Sequence, residues 1–183
     1  MLDISIKRIA CLISVIAAVI ITVCYLRITG LFGNESALSK VGLVHPVMFA
    51  LWGISTYFAL AFNIHIGFSK TKYKFYIFLL AVSLLGMILT LCCDFDYSEY
   101  SQYLAHCIGS LAFSAVTGIT VFLLFVLTKN YISAVICGAV LLTDLVFLVI
   151  YKETALIEVV PVLVGYVLLL IHNLKGERVK IEA

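Results

Sequence analysis

The sequence predicts an all-α protein, a polytopic transmembrane bundle of six helices with both termini in the cytoplasm. Of its 183 residues, 64% are hydrophobic and only 12% are charged, whereas a soluble domain is about half apolar and about a quarter charged. Six apolar segments reach the roughly 20 residues that cross about 30 Å of hydrocarbon. Lys and Arg also concentrate in alternate connections, as in membrane proteins of fixed orientation.

The six segments are continuously apolar and do not alternate with period two, which favours helices over the strands of a barrel. Lysine and arginine precede the first segment at positions 7 and 8, and no small-x-small cleavage site follows it. We therefore expect an uncleaved first span. One domain covers residues 1–183, and its predicted spans lie at residues 9–28, 43–68, 75–93, 103–128, 131–151 and 155–173.

The orientation follows from the Lys and Arg residues in the connections, because cytoplasmic loops carry the excess. With the N-terminus inside, nine of the twelve basic residues fall on the cytoplasmic side and three fall outside, namely Arg27, Lys40 and Lys152. The net charge is only +2, and no basic stretch resembles a nucleic-acid-binding surface. We therefore expect membrane lipids as partners, and no nucleic acid.

Two covalent modifications are consistent with the predicted outer loops. Asn34-Glu35-Ser36 fits the N-glycosylation pattern, although an ordinary polar loop explains it equally. Cys92 or Cys93 could pair with Cys107 in an oxidising compartment. The alternative is that all six cysteines act as small apolar residues.

The fourth predicted span carries a stripe of small residues, Ser110, Ser114 and Gly118, at four-residue spacing. Such stripes let two helix backbones approach closely. Ala134 and Gly138 form a shorter stripe on the fifth span. We expect these two spans to pack together, and a second chain bound through the same stripe remains the alternative.

Asp144 lies within the fifth span, seven residues before Tyr151 and hence roughly 10 Å from the predicted outer end of that helix. A carboxylate there costs on the order of 1–3 kcal/mol if it faces lipid. It should face the bundle interior, a water-filled cavity or a hydrogen-bond partner. A ligand contact, a proton relay and a structural hydrogen bond all fit.

More ionisable residues gather at the predicted outer surface than elsewhere in the spans. Together with Asp144, they are His45, Asp94, Asp96, His106 and Glu158. Imidazole and carboxylate groups at one level can do acid–base work on a lipid headgroup or bind a divalent metal. No HxxxH or HExxH motif lies on any span, so no metal is predicted and no cofactor can be named. Ordinary hydrated residues at the membrane surface are the alternative.

The order of these features resembles a known family. A polar first outer loop contains residues 36–42, the third predicted span ends in Cys-Asp-Phe-Asp at 93–96, and a histidine opens the small and aromatic run at 106–113. Over residues 33–125 the chain resembles the six-helix superfamily of damage-regulated autophagy modulators and FGF-receptor-activating-protein-like membrane proteins, in its prokaryotic branch.

The resemblance implies a compact six-helix bundle and a choice of functions. Some relatives take part in lipid-anchor remodelling, and others modulate membrane trafficking. By motif position, the residues of interest that it implies are His106, Asp94 and Asp96. Ser39-Lys40 stands where the family pattern has Ser-Glu.

Three functions fit these residues. The first is a non-enzymatic protein that binds or senses lipid or a small apolar ligand within the bundle, with Asp144, Glu158 and His106 as ligand contacts. The second is a membrane-embedded enzyme acting on lipid headgroups, with catalytic residues among His45, His106, Asp94 and Asp96. The third is a small ion-coupled transporter that uses Asp144. The absence of a recognisable catalytic motif favours the first.

Overall fold

The structure is a computed structural model that describes residues 4–30, 36–151 and 154–175. Within these ranges the chain is all-α and contains no strand. Asn34 lies outside the described residues. Over the described ranges there are seven helices: α1 (Ile4–Thr29), α2 (Leu38–Val44), α3 (Pro46–Phe68), α4 (Tyr76–Cys92), α5 (Tyr100–Leu127), α6 (Tyr131–Tyr151) and α7 (Ala155–Lys175).

Five of these helices, α1, α3, α5, α6 and α7, are long and apolar enough to cross a membrane, and α4 is a shorter apolar helix of 17 residues. Large apolar side chains cover the outside of the bundle. Phe78, Ile132 and Val149 are 70%, 77% and 78% exposed. Water would not tolerate such a surface, whereas lipid tails are as apolar as these side chains. The all-α, multi-pass character predicted from the sequence is thus confirmed.

Most helix bounds lie close to the predicted spans, but α1 begins at Ile4 where residue 9 was predicted, and the second span is divided in two. Residues 43 and 44 belong to the separate short helix α2, and the chain breaks at His45 before α3 begins with Pro46 at its first position. Proline is favoured there because its missing N–H has no partner in a first turn. The break sets α2 apart from the long helix that follows it.

The closest helix crossing joins α4 to α5 through two glycines. A Cβ atom added to Gly86 would lie 2.6 Å from the backbone nitrogen of Phe113, and one added to Gly109 would lie 2.7 Å from the carbonyl oxygen of Gly86. The hydroxyls of Ser83 and Thr117 form a hydrogen bond across the same contact. Only glycine allows this approach.

The small-residue stripe of α5 lines a cavity between helices and meets α6 at one residue. Gly118 packs against Leu141 of α6, as expected for the predicted pairing of these helices. All three stripe residues line the cavity, and the Ser114 hydroxyl donates to the carbonyl oxygen of Ser110 in its own helix. Binding of a second chain through this stripe stays a prediction.

Helix α3 lies at the centre of the bundle and contacts α1, α2, α4, α5 and α7. A large apolar core fills the middle of the bundle around Ile64, Leu124 and Leu169. A second, aromatic cluster of Tyr25, Phe49 and Trp52 lies where α2 and the first turn of α7 meet α3. We call this part of the molecule the His106 end, because the buried histidine of α5 lies beside that cluster.

Candidate functional site

His106 is buried at the His106 end, with 2% of its surface exposed. Its Nδ1 atom lies 2.8 Å from the carbonyl oxygen of Cys93, and its Nε2 atom lies 2.9 Å from the hydroxyl oxygen of Ser39. Cys93 follows the last residue of α4 in an extended conformation. The final carbonyls of a helix lack partners within the helix and seek others. Here the imidazole of α5 supplies the partner for the carbonyl just beyond α4.

Ser39 connects the histidine to a carboxyl group on α7. Its hydroxyl oxygen lies 3.2 Å from Oε1 of Glu158, and the backbone N–H of Leu38 donates to Oε2 of Glu158 at 2.6 Å. No side chain of α2 caps its own first turn, so its N–H groups need outside acceptors. Glu158 provides one and is itself placed by the first turn of α7.

These groups form one continuous chain of hydrogen bonds. It runs from the carbonyl of Cys93 through His106 and Ser39 to Glu158, and we call it the Ser39 network. Four separate segments of the sequence contribute to it. Buried polar groups that are fully connected in this way hold a single geometry.

Aromatic rings enclose the imidazole of His106. Phe49 is stacked on it with ring centroids 6.1 Å apart, and Phe95 approaches edge-on at 5.2 Å. Tyr25 supports the same region because its hydroxyl donates to the carbonyl oxygen of Leu38 at 2.7 Å. The rings leave the imidazole little freedom to rotate away from Ser39.

A cavity of about 490 Å³ extends from the Ser39 network into the bundle between α3, α5, α6 and α7. Its walls are mostly apolar, and its polar groups include Ser39, His106, Glu158 and Asp144. Three wall residues, Leu111, Ile119 and Leu145, are themselves more than half exposed. The cavity therefore opens sideways between helices as well as reaching the network.

Two wall residues carry polar groups that have no hydrogen-bond partner in the described part of the chain. Asp144 is partly buried and forms no hydrogen bond to any residue within the described ranges. The indole N–H of Trp52 is buried and lacks an acceptor in the same part of the chain. A buried donor of this kind costs about 1–3 kcal/mol until an acceptor reaches it.

The structure brings together only some of the residues singled out from the sequence. His106 and Glu158 share the Ser39 network, and Asp144 lines the same cavity. His45 is exposed at the break between α2 and α3, and Asp94 is exposed in the loop after α4.

Asp96 also stands apart from the network, in the loop after α4. Its Oδ1 accepts the backbone N–H of Ser98 at 2.9 Å. Backbone and side-chain hydrogen bonds from Ser98 lower the pKa of Asp96 below its usual value. The ordinary hydration of a surface carboxylate explains its position, and nothing connects its side chain to His106.

Sequence reasoning missed Ser39 as a site residue. An uncharged serine adds little to the free energy of inserting a helix into a membrane, so neither composition nor charge indicates a role for Ser39. The only signal was its place in the polar stretch before the second span, which entered through the family resemblance alone. Its partners lie 67 and 119 positions away in the chain.

The cysteines and the possible metal ligands can also be located in the structure. All six cysteines lie in described parts of the chain, and none forms a disulfide. Among residues 4–30, 36–151 and 154–175, no group of three His, Cys, Asp or Glu side chains is arranged to hold a metal ion.

A second polar cluster lies at the opposite end of the bundle. Asn63 and Asn173 are 0% and 2% exposed, and the Nδ2 of Asn173 donates to the carbonyl oxygen of Asn63 at 3.0 Å. Asn63 in turn donates to the hydroxyl of Ser14 at 3.1 Å. These bonds tie α1, α3 and α7 together, and they leave the buried Oδ1 of Asn173 without a partner among the described residues.

No protein-family model matches this chain, and neither a curated protein nor a solved structure shows significant similarity to it.

Proposed function

We propose that this chain crosses the membrane six times with both termini in the cytoplasm, and that it binds a lipid or a small apolar molecule inside the bundle. The observation that carries the binding is the cavity of about 490 Å³ with apolar walls and the Ser39 network at one end. That volume lies within the roughly 300–1,000 Å³ of sites for small molecules.

The count of six depends on α4, which has 17 residues. At 1.5 Å per residue it is about 26 Å long, slightly less than the roughly 30 Å of hydrocarbon. Phe75 and Cys93 extend the apolar segment by one residue at each end. A short span is tolerated because the bilayer thins locally at modest cost.

The orientation is supported by the distribution of basic residues. Lys70, Lys72 and Lys74 lie in the connection between α3 and α4, at the end of the bundle opposite His106. The positive-inside rule puts such a loop in the cytoplasm. The Ser39 network then lies in the outer half of the membrane, where lipid headgroups are within reach.

The arrangement of the cavity fits a lipid with one chain inside the bundle. Apolar walls would hold the chain, and hydroxyl, imidazole and carboxyl groups would hold an ester or hydroxyl group at the His106 end. The side opening beside α5 and α6 would let a molecule enter from the bilayer without passing through water. An acceptor on the ligand would also satisfy the indole N–H of Trp52.

Photo-crosslinking tests this proposal directly. The protein is placed in nanodiscs containing phosphatidylglycerol with a diazirine in one acyl chain, then irradiated, and the adducts are mapped by mass spectrometry. We expect adducts on cavity residues such as Val140 and Leu168. Adducts restricted to the outer surface of the bundle, for example at Val149, would contradict binding inside.

A pair of variants separates cavity binding from general lipid contact. A Cβ atom at Gly165 meets only Leu60 at 3.6 Å, an ordinary contact, so Gly165→Phe places its ring in the cavity. Val167→Phe puts the same ring on the exposed surface of the same helix. We expect Gly165→Phe to remove the cavity adducts and Val167→Phe to keep them.

A further inference from the structure

We infer that Ser39 is a nucleophile that accepts an acyl group from an ester lipid, with His106 as its general base and Glu158 as the proton donor to the leaving group. This inference rests on the proposed function, since the lipid in the cavity is the acyl donor. It adds a reaction, a substrate class and a catalytic residue, Ser39, that sequence reasoning did not single out.

The geometry of the imidazole is that of a base. A backbone carbonyl can only accept a hydrogen bond, so Nδ1 of His106 must carry the proton in its 2.8 Å contact with Cys93. In the neutral ring, Nε2 then keeps its lone pair. That lone pair faces the hydroxyl of Ser39 at 2.9 Å, within the 2.6–3.2 Å or so expected of a nucleophile and its base.

The number of hydrogens in the Ser39 network limits which groups can act as the acid. The three hydrogen bonds from Cys93 to Glu158 need three hydrogens. The Nδ1 atom supplies one and the serine hydroxyl supplies one. A third hydrogen on Oε1 of Glu158, or on Nε2 of His106, satisfies all three contacts at once.

Both positions of the third hydrogen leave the histidine and glutamate pair neutral overall. This suits a buried site, because an isolated ionised group in a low-dielectric interior is expensive. When the hydrogen is on Glu158, the carboxyl donates to Ser39 and Ser39 donates to His106. The network then holds a base and an acid on either side of one hydroxyl, as acyl transfer requires.

The reaction balances with these three side chains and water. The Ser39 oxygen bonds to the ester carbonyl carbon while its proton passes to Nε2 of His106. The bond from that carbon to the ester oxygen breaks, the departing oxygen takes the proton of Glu158, and an alcohol leaves with the acyl group on Ser39. Water then attacks the acyl carbon and gives a proton to Glu158. The bond to Ser39 breaks, its oxygen recovers the proton from His106, and a carboxylic acid leaves.

The position of the cavity selects the substrate class. Ser39, His106 and Glu158 lie on the wall of a space that is otherwise apolar and that opens sideways. A carboxylic ester with a long acyl chain can place the chain among α5, α6 and α7 and its carbonyl at Ser39. A small hydrophilic ester has nothing to hold it there.

An alkyl fluorophosphonate tests the nucleophile, because it traps an activated serine as a covalent adduct. The wild-type protein is treated in nanodiscs, and the adduct is located by peptide mass spectrometry. We expect one adduct, on Ser39. We expect Ser39→Ala to abolish it and His106→Gln to slow it at least about 100-fold, as loss of a general base does.

Ser55→Ala is the matched control, since Ser55 hydrogen-bonds to the carbonyl oxygen of Trp52 in its own helix and does not line the cavity. It should be labelled at the wild-type rate. Labelling of Ser114 in place of Ser39, or no labelling of the folded wild-type protein, would overturn the inference.

The diazirine lipid experiment separates failure of the nucleophile inference from failure of the proposed lipid binding. Cavity adducts without a fluorophosphonate adduct leave lipid binding intact and remove the nucleophile. Absence of both adducts removes both proposals.

Discussion

Glu158 accepts the backbone N–H of Leu38 at 2.6 Å and so joins the first turns of α7 and α2, 120 positions apart in the chain. The same carboxyl group reaches the hydroxyl of Ser39 at 3.2 Å. One side chain therefore caps a short helix and completes the Ser39 network. A helix as short as α2 is marginal alone, so its place depends on such contacts.

Removal of this carboxyl group should destabilise the protein. Glu158→Ala leaves the N–H of Leu38 without its acceptor and should cost about 1–3 kcal/mol. Glu158→Gln keeps a side-chain oxygen that can accept the same N–H, so its loss of stability should be smaller. Thermal unfolding in detergent measures the difference, and equal midpoints for the two variants would contradict a capping role.

The spans could be predicted because lipid imposes a simple rule of length and apolarity. The predicted spans 131–151 and 75–93 match α6 and α4 within one residue at each end. The break at His45 was missed because Leu43 and Val44 are as apolar as the span that follows. Hydropathy does not register a break between two helices that are both apolar.

The candidate site was predictable only in part, because hydropathy and charge mark some of its residues and not others. His106 and Glu158 stood out because ionisable groups in a span are costly. His45 stood out equally and proved exposed, since sequence spacing does not give the rotation of a helix that is apolar all round. Ser39 carries no such cost, and its contacts appear only when four segments meet.

Gly86→Ala should destabilise the contact between α4 and α5. The new methyl group would lie 2.6 Å from the backbone nitrogen of Phe113 and 2.8 Å from the carbonyl oxygen of Gly109. Backbone atoms cannot rotate away, so the helices must separate, at about 1–3 kcal/mol for overpacking. Gly138→Ala is the control because its methyl group meets Phe122 at an ordinary 3.5 Å. Similar unfolding midpoints for Gly86→Ala and Gly138→Ala would contradict the close approach of α4 and α5 at Gly86.

The two buried asparagines should be energetically coupled. The Nδ2 of Asn173 donates to the backbone of Asn63 at 3.0 Å and lies 3.3 Å from its side-chain oxygen. Asn63→Ala, Asn173→Ala and the double variant form a cycle. We expect a coupling of about 0.5–3 kcal/mol, as for residues in one hydrogen-bond network. Additive effects would mean that each side chain acts alone.

Asp144→Asn should leave stability unchanged or slightly raised. The carboxyl group forms no hydrogen bond within the described residues, so the substitution removes no contact there. It also removes the charge that makes a carboxylate costly in a membrane. An unfolding midpoint well below that of the wild type would reveal a structural partner. With stability kept, any loss of lipid adducts in this variant assigns Asp144 to the ligand.

Cysteine labelling should place the two short connections of α4 on opposite faces of the membrane. Lys72 lies in the basic connection before α4, and Ser98 lies in the loop after it, and both side chains are exposed. In a background without the native cysteines, an impermeant maleimide applied to intact cells should label Ser98→Cys and not Lys72→Cys, because the basic loop is cytoplasmic. Permeabilisation should expose both and serves as the control. Labelling of both variants in intact cells would mean that α4 does not cross the membrane. Labelling of Lys72→Cys alone would invert the orientation and put the Ser39 network in the cytoplasmic half of the membrane.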